Sequence, residues 1–403
     1  MSAKGLTQSG RERLHRVLSG HVERNELPGL VAIVSRHDDV HVEVLGTMRA
    51  ADPQPMPRDA VFRIASLTKP IVAAAAMILV EECRLRLDES IEPWIPELAN
   101  RRVLKSISSP LDDDHTVPAN RAITVRDLLT YRMGFGSVMA PPDTYPIQKL
   151  IREYKIGGDG PPLPALAPTT EQWLQSLASL PWLAQPGEQW LYNTSGDVLG
   201  ILVARVARQP LGEFLRERLF TPLGMKDTAF HVPADKRARL PDSYRFDRQA
   251  RALQLYDRAH DSAWGAPPPI ESGGGGLVGT IDDYFAFSRM MLANGRHGST
   301  QILSRASVAL MTSDQLTQEQ RAGSSMFFGS NCSWGFGMSV DIHRDQLYRS
   351  PGRFGWDGGL GTSGYIDPVE QLIGILFTQR LMDSPEPPAI FNDFWTTAYA
   401  AMD

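Results

Sequence analysis

An uncharged apolar run, Ile71-Val72-Ala73-Ala74-Ala75-Ala76-Met77-Ile78-Leu79-Val80, constrains this chain more than any other stretch. It is rich in alanine and about three turns long, so it reads as a helix buried on all sides. Pro70 stands immediately before it. Proline lacks an N–H and clashes with the carbonyl one turn back, so it is tolerated only in the first turn of a helix. The helix therefore begins near Ser66, within Phe62-Arg63-Ile64-Ala65-Ser66-Leu67-Thr68-Lys69-Pro70. Ser66 and Lys69, three residues apart, then share one face. The serine hydroxyl lies among unpaired N–H groups at the positive end of the helix dipole. A lysine one turn on, held against apolar neighbours, is a way to activate that hydroxyl without a histidine. Each residue also has an ordinary explanation: serine is a common N-cap, and lysine is commonly solvated. The catalytic reading rests on the apolar helix and on two further motifs downstream.

A chain of 403 residues, 42% hydrophobic and 22% charged, can bury a large core, here expected in two lobes. A net charge of -5 argues against a nucleic-acid partner, which calls for a basic face. The polar N-terminus has no apolar segment of the signal-peptide kind, and the run ending at Val80 is too short to span a bilayer. No membrane association is expected. Two cysteines, Cys83 and Cys332, make no disulfide framework and suit a reducing cytoplasm. None of the nine histidines, His37 and His41 included, forms a cluster with zinc spacing, so no metal is expected.

Apolar periodicity predicts a helix from about Ser9 to Glu26, then a hairpin of residues 30–35 and 40–45 turning at His37-Asp38-Asp39. Thr124 is placed to cap a short helix. Residues 134–170 are rich in glycine and proline and read as a long loop, either a wall or lid over a pocket to which residues 261–269 also contribute, or a tolerated surface insertion. Helices are expected over 171–180, 201–206, 211–219, 281–292, 304–312 and 389–400, and a small hairpin over 244–256. The glycine run Gly273 to Gly276 is followed by no Gly-Lys-Ser/Thr, so it reads as close backbone packing rather than a phosphate loop. Strands are expected over 334–340, 361–366 and 372–377. Strands at both ends with helices between imply an α/β fold, with an antiparallel sheet flanked by helices. Residues 1–70 and 271–403 form its α/β domain, residues 71–270 an inserted, mainly helical one, and the active site lies in the cleft between them.

Three motifs in this order resemble the serine β-lactamase and penicillin-binding-protein superfamily. Ile64-Ala65-Ser66-Leu67-Thr68-Lys69-Pro70 is similar to its first motif, and Tyr192 after Trp190 to the tyrosine of its second. Gly355-Trp356-Asp357-Gly358-Gly359 stands where that family has Lys-Thr-Gly. Two departures matter. Thr194 occupies the position of the class C asparagine, two residues after the tyrosine, and Trp356 that of the lysine. Both resemble the class C-like carboxylesterases called family VIII.

The resemblance implies a β-lactamase-like fold and a serine carboxylesterase hydrolysing short-chain esters through an acyl-enzyme on Ser66. Lys69 and Tyr192 together take the serine proton, and the backbone N–H groups of Ser66 and Gly359 form the oxyanion hole. Trp356, Gly358 and Thr194 line the substrate site, with Trp356 an apolar wall suited to a neutral ester. No cofactor is called for, and the partner is a small-molecule ester. β-Lactamase or D-alanyl-D-alanine peptidase-like activity, acyl transfer to an alcohol or amine, and a non-catalytic binding role are the alternatives. A Ser-His-Asp hydrolase is disfavoured, because no Gly-x-Ser-x-Gly elbow is present.

Overall fold

Val- and Ile-rich segments from the two ends of the chain pair edge to edge, and that pairing makes the central sheet. The computed structural model describes residues 5–50, 52–157 and 163–402. Its strands are β1 (Gly29–Arg36), β2 (Asp39–Arg49), β3 (Asp52–Pro55), β4 (Cys332–Trp334), β5 (Ser339–Asp341), β6 (Phe354–Gly358), β7 (Thr362–Asp367) and β8 (Leu372–Thr378). They form one antiparallel sheet in the order β4-β5-β6-β7-β8-β1-β2-β3. The two ends meet where β1 pairs with β8, from Leu30 opposite Thr378 to Arg36 opposite Leu372. Both strands are buried at every position, so their apolar residues run continuously instead of alternating.

Five helices frame the sheet and the Ser66 segment: α1 (Gln8–Glu23), α2 (Thr68–Glu81), α3 (Thr194–Ala207), α4 (Ile281–Leu292) and α5 (Ala389–Tyr399). α1 and α5 cover one face of the sheet, where Leu14, Leu18, Phe394 and Trp395 meet Leu30, Val34 and Leu376. On the other face, Ile281, Tyr284 and Phe287 of α4 join Val31, Ile33, Ile375 and Phe377 in a larger core. α2 lies inside that core and is buried without interruption from Thr68 to Leu79, as its alanine-rich apolar run should be, with Lys69 the one charged residue among them. No helix is long and apolar enough to cross a membrane among the described residues.

Several expectations take a different form. Residues 334–340 are not one strand. Gly335 and Gly337 break them into a β4-β5 hairpin, Gly337 at φ +73°. A Cβ at Gly337 would sit 2.8 Å from the Lys69 carbonyl, so the hairpin turn rests directly on α2. The 134–170 stretch carries a helix, Pro146–Glu153, started by Pro146 and by the Gln148 side chain, which accepts from the Tyr145 N–H at 2.8 Å. Its residues 158–162 lie outside the described residues. Helix α3 begins at Thr194, seven residues before the predicted 201. The 243–257 hairpin, the Thr124 cap and the terminal helices form as read. Cys83 and Cys332 are both free thiols.

One buried ion pair fixes the approach to Ser66. Arg63, just before the Ser66 turn, donates through Nε to Asp257 at 2.7 Å and through Nη1 to the Pro241 carbonyl at 2.7 Å. Both partners are nearly inaccessible, with side-chain exposures of 3% and 6%. Removing one partner of such a pair strands a buried charge and typically costs about 3–5 kcal/mol. Asp257→Ala is expected to lose that much in urea unfolding. A loss below about 1 kcal/mol would show that the pair does not hold the segment.

Candidate active site

Ser66 lies in a single 3₁₀ turn, Ala65–Leu67, that leads directly into α2. Ala65 is held at φ +46°, a left-handed conformation costly for a residue with a Cβ. Its neighbours hold it there. The Ile64 N–H donates to the Leu277 carbonyl at 3.1 Å, the Leu277 N–H to the Thr68 hydroxyl at 3.1 Å, and the Thr362 hydroxyl to the Ile64 carbonyl at 3.0 Å. The Ser66 turn is thus tied to the glycine-rich stretch and to β7.

Lys69 is fully buried at the start of α2. Its ammonium donates to Ser66 Oγ at 2.9 Å, to Asn193 Oδ1 at 2.9 Å and to the Gly274 carbonyl. Three neutral acceptors match the three N–H bonds of an ammonium, so none of its donors is left unpaired. Tyr192 Oη lies 2.8 Å from Ser66 Oγ and accepts from the indole N–H of Trp356 at 2.8 Å. The Lys69 nitrogen also sits 4.6 Å from the centre of the Tyr192 ring. A fixed N–H donor on the phenol oxygen and a cation over its ring both favour negative charge on the phenol, so the oxygen is placed to receive the serine proton. Tyr192 is held from behind by aromatic rings: Trp190 at 5.7 Å, Phe327 at 4.9 Å and Trp356 at 5.8 Å between centroids.

Ser66, Lys69, Tyr192 and Trp356 therefore converge as the sequence motifs suggest. Trp356 is only 8% exposed and adds a hydrogen bond that the apolar-wall reading did not contain. Gly358 ends β6 against the Ser66 turn, where a Cβ would lie 2.6 Å from the Ile64 carbonyl. Gly359 follows it, half-buried, and its carbonyl accepts from Met382 at 3.0 Å; its N–H makes none of the described hydrogen bonds.

Thr194 is not turned to Lys69. It is buried in the first turn of α3, and its neighbour Asn193 supplies the contact. Asn193 has φ +76° and ψ −63°, and the Thr194 N–H reaches back to the Tyr192 carbonyl at 3.2 Å. That is a γ-turn of the strained kind, and it swings the side chain one residue earlier towards Lys69. Motif spacing alone could not reveal it. The glycine run was legible as close packing, and a Cβ at Gly273 would collide with the Gly196 carbonyl. Its Gly274 carbonyl as a ligand of Lys69 was not. The start of the 134–170 stretch lies beside the site, the Ser137 N–H donating to the Tyr192 carbonyl at 2.8 Å. Trp264 of the 261–269 segment packs behind Ala65 and Leu360. No group of three His, Cys, Asp or Glu is placed to share a metal among the described residues.

Known proteins share this chain's pattern over most of its length. The model of the Beta-lactamase family matches residues 14–391. Protein Rv1367c of Mycobacterium tuberculosis is 37% identical over 371 residues, covering 89% of this chain and 87% of that one. Esterase EstB of Burkholderia gladioli is 27% identical over 402 residues, covering 93% and 92%. Among solved structures, EstCE1, described as a hydrolase with promiscuous acyltransferase activity, superposes with a TM-score of 0.80 at 24% identity over 97% of this chain and 99% of its own. That likeness shows the β-lactamase-like fold.

Trp356→Phe keeps the ring and deletes the N–H. A hydrogen bond to a charged oxygen is worth about 1.5–3 kcal/mol, so labelling of Ser66 by an organophosphonate should slow roughly ten- to hundredfold at an unchanged melting temperature. An unchanged rate would reduce Trp356 to packing.

Proposed function

The chain belongs to the Beta-lactamase family, and on that premise we propose that it is a serine carboxylesterase acting on short-chain, neutral esters. At the coarser level it is a serine hydrolase or acyltransferase of the β-lactamase superfamily. The observation that carries the finer reading is Trp356, whose indole N–H is bonded to Tyr192 at the motif position where the resemblance has a lysine. Its side chain offers a substrate carboxylate no cation, and it presents an aromatic ring instead.

In this reading Ser66 Oγ attacks the ester carbonyl carbon while its proton passes to Tyr192 Oη. The carbon–oxygen π pair moves onto the carbonyl oxygen, which is received by the N–H groups of Ser66 and Gly359. Loss of one such donor typically costs about 10²–10³ in rate. The tetrahedral intermediate collapses, the ester C–O bond breaks, and Tyr192 returns the proton to the departing alcohol. A water then attacks the acyl-enzyme carbonyl, giving its proton to Tyr192. The bond from the acyl carbon to Ser66 Oγ breaks, Tyr192 returns the proton to Ser66 Oγ, and the carboxylic acid leaves. The Lys69 ammonium and the Trp356 N–H stabilise the tyrosine oxygen while it is negative. An alcohol in place of water gives acyl transfer with the same groups and the same proton path.

Initial rates on short p-nitrophenyl esters and on nitrocefin, with Ser66→Ala as control, test the reading. Ester turnover, slow or absent nitrocefin hydrolysis and an inert variant are expected. Nitrocefin turnover rivalling the esters would replace the reading with a β-lactamase. Adding a short alcohol and measuring the yield of new ester separates transfer from hydrolysis.

A further inference from the structure

Asp197 is a buried carboxylate beside the site for which the acyl-enzyme mechanism has no use. It stands in the first turn of α3, 8% exposed. One of its oxygens, Oδ1, accepts both from Ser272 Oγ at 2.5 Å and from the Gly274 N–H at 3.0 Å. The carbonyl of that same Gly274 accepts from the Lys69 ammonium. Asp197 and Lys69 are thus joined through one glycine residue, N–H on one side and C=O on the other.

The hydrogen bonds alone do not call for a carboxylate. Both fall on Oδ1, and an asparagine carbonyl would accept them equally well. What a carboxylate adds is charge. Lys69 makes no direct ion pair with an acidic side chain among the described residues, although it is fully buried. An ammonium in that position needs negative charge nearby to stay charged. The titratable groups facing this pair are Tyr192, with its ring against Lys69, and Tyr131, whose hydroxyl lies 2.5 Å from where a Gly196 Cβ would be. Neither supplies that charge in its neutral form. Burial raises the Asp197 carboxyl above its ordinary value, while Ser272, Gly274 and Lys69 oppose the rise.

We propose that Asp197 is a positioning residue that acts on catalysis through Lys69. By this inference it is the counter-charge of the Lys69 ammonium, and through Ser272 and Gly274 it clamps the carbonyl that ammonium binds. By keeping Lys69 charged it leaves Tyr192 as the group that takes the Ser66 proton. The inference rests on the nucleophile assignment above and goes beyond it by identifying what sets the protonation of the pair.

The test is the pH dependence of Ser66 labelling by a p-nitrophenyl phosphonate in the wild type and in Asp197→Asn. Asparagine keeps the volume and the Oδ1 acceptor and removes the charge. Loss of that negative charge should move the acidic limb of labelling to lower pH by about one unit. Failure of the wild type to label at Ser66 would sink the nucleophile assignment itself. Normal labelling with the limb unmoved in Asp197→Asn would overturn only the role of Asp197.

A stability cycle with Lys69→Met keeps the proposal open to refutation if Asp197→Asn folds poorly. Removing Lys69 strands the Asp197 charge, so the double variant should melt above Lys69→Met alone. Equal or lower melting of the double variant would show that the two charges are not coupled.

Discussion

The site depends on a single buried ammonium. Lys69 has no access to water, so its charge must be met by acceptors that the fold brings from three separate places: Ser66 on its own turn, Asn193 at the head of α3 and Gly274 in the glycine run. A charge in a low-dielectric interior tolerates little misplacement of its partners. The requirement therefore propagates outward. Gly273 must lack a side chain because a Cβ there would collide with the Gly196 carbonyl of α3, Gly274 lies tight against the Asp197 and Asn193 side-chain oxygens, and Asn193 holds an unfavourable backbone geometry to present its oxygen. Ala65 and Asn193, the residues that aim the two sides of the site, both hold positive φ, at +46° and +76°.

That arrangement is possible because the frame around it is rigid. α2 is enclosed by core on all sides, and β6 delivers Trp356 and the glycines after it from a sheet strand rather than a free loop. The sheet is closed by a pairing between the chain's two ends, β1 with β8, so the position of the last motif relative to the first is set by backbone hydrogen bonds. The Ser66 turn joins this frame through the Thr362 hydroxyl and the Ile64 carbonyl. A serine, a phenol and an indole from three distant segments are thereby held at hydrogen-bond distance without a flexible intermediary, which is the condition for an oriented proton transfer.

The aromatic shell has a second effect. Trp190, Trp356 and Phe327 leave the Tyr192 oxygen as the polar tip of an apolar surface, with Trp334 set edge-on behind Trp356 at 4.8 Å. Fixed donors act more strongly in such surroundings than in water, because water neither competes for nor screens them. The same apolar character suits an ester without formal charge.

The start of a helix near Ser66, the buried run that follows and the helices at each end were legible in the sequence, because proline placement, alanine content and apolar period act locally. Ser66, Lys69, Tyr192 and Trp356 were legible as candidates because their neighbours form recognisable patterns. Tertiary structure decided which atoms they use. The indole N–H of Trp356 points at a phenol contributed 164 residues earlier, and the Gly274 carbonyl meets a lysine 205 residues before it. The asparagine that serves Lys69 is Asn193 because a γ-turn outweighs motif spacing there. Helix Pro146–Glu153 was hidden among loop-forming residues, and the break between β4 and β5 appears only because the turn must fit against α2. Local patterns carry information about neighbours along the chain; contacts across it depend on packing and on the need to satisfy a buried charge, and those exist only once the chain has folded.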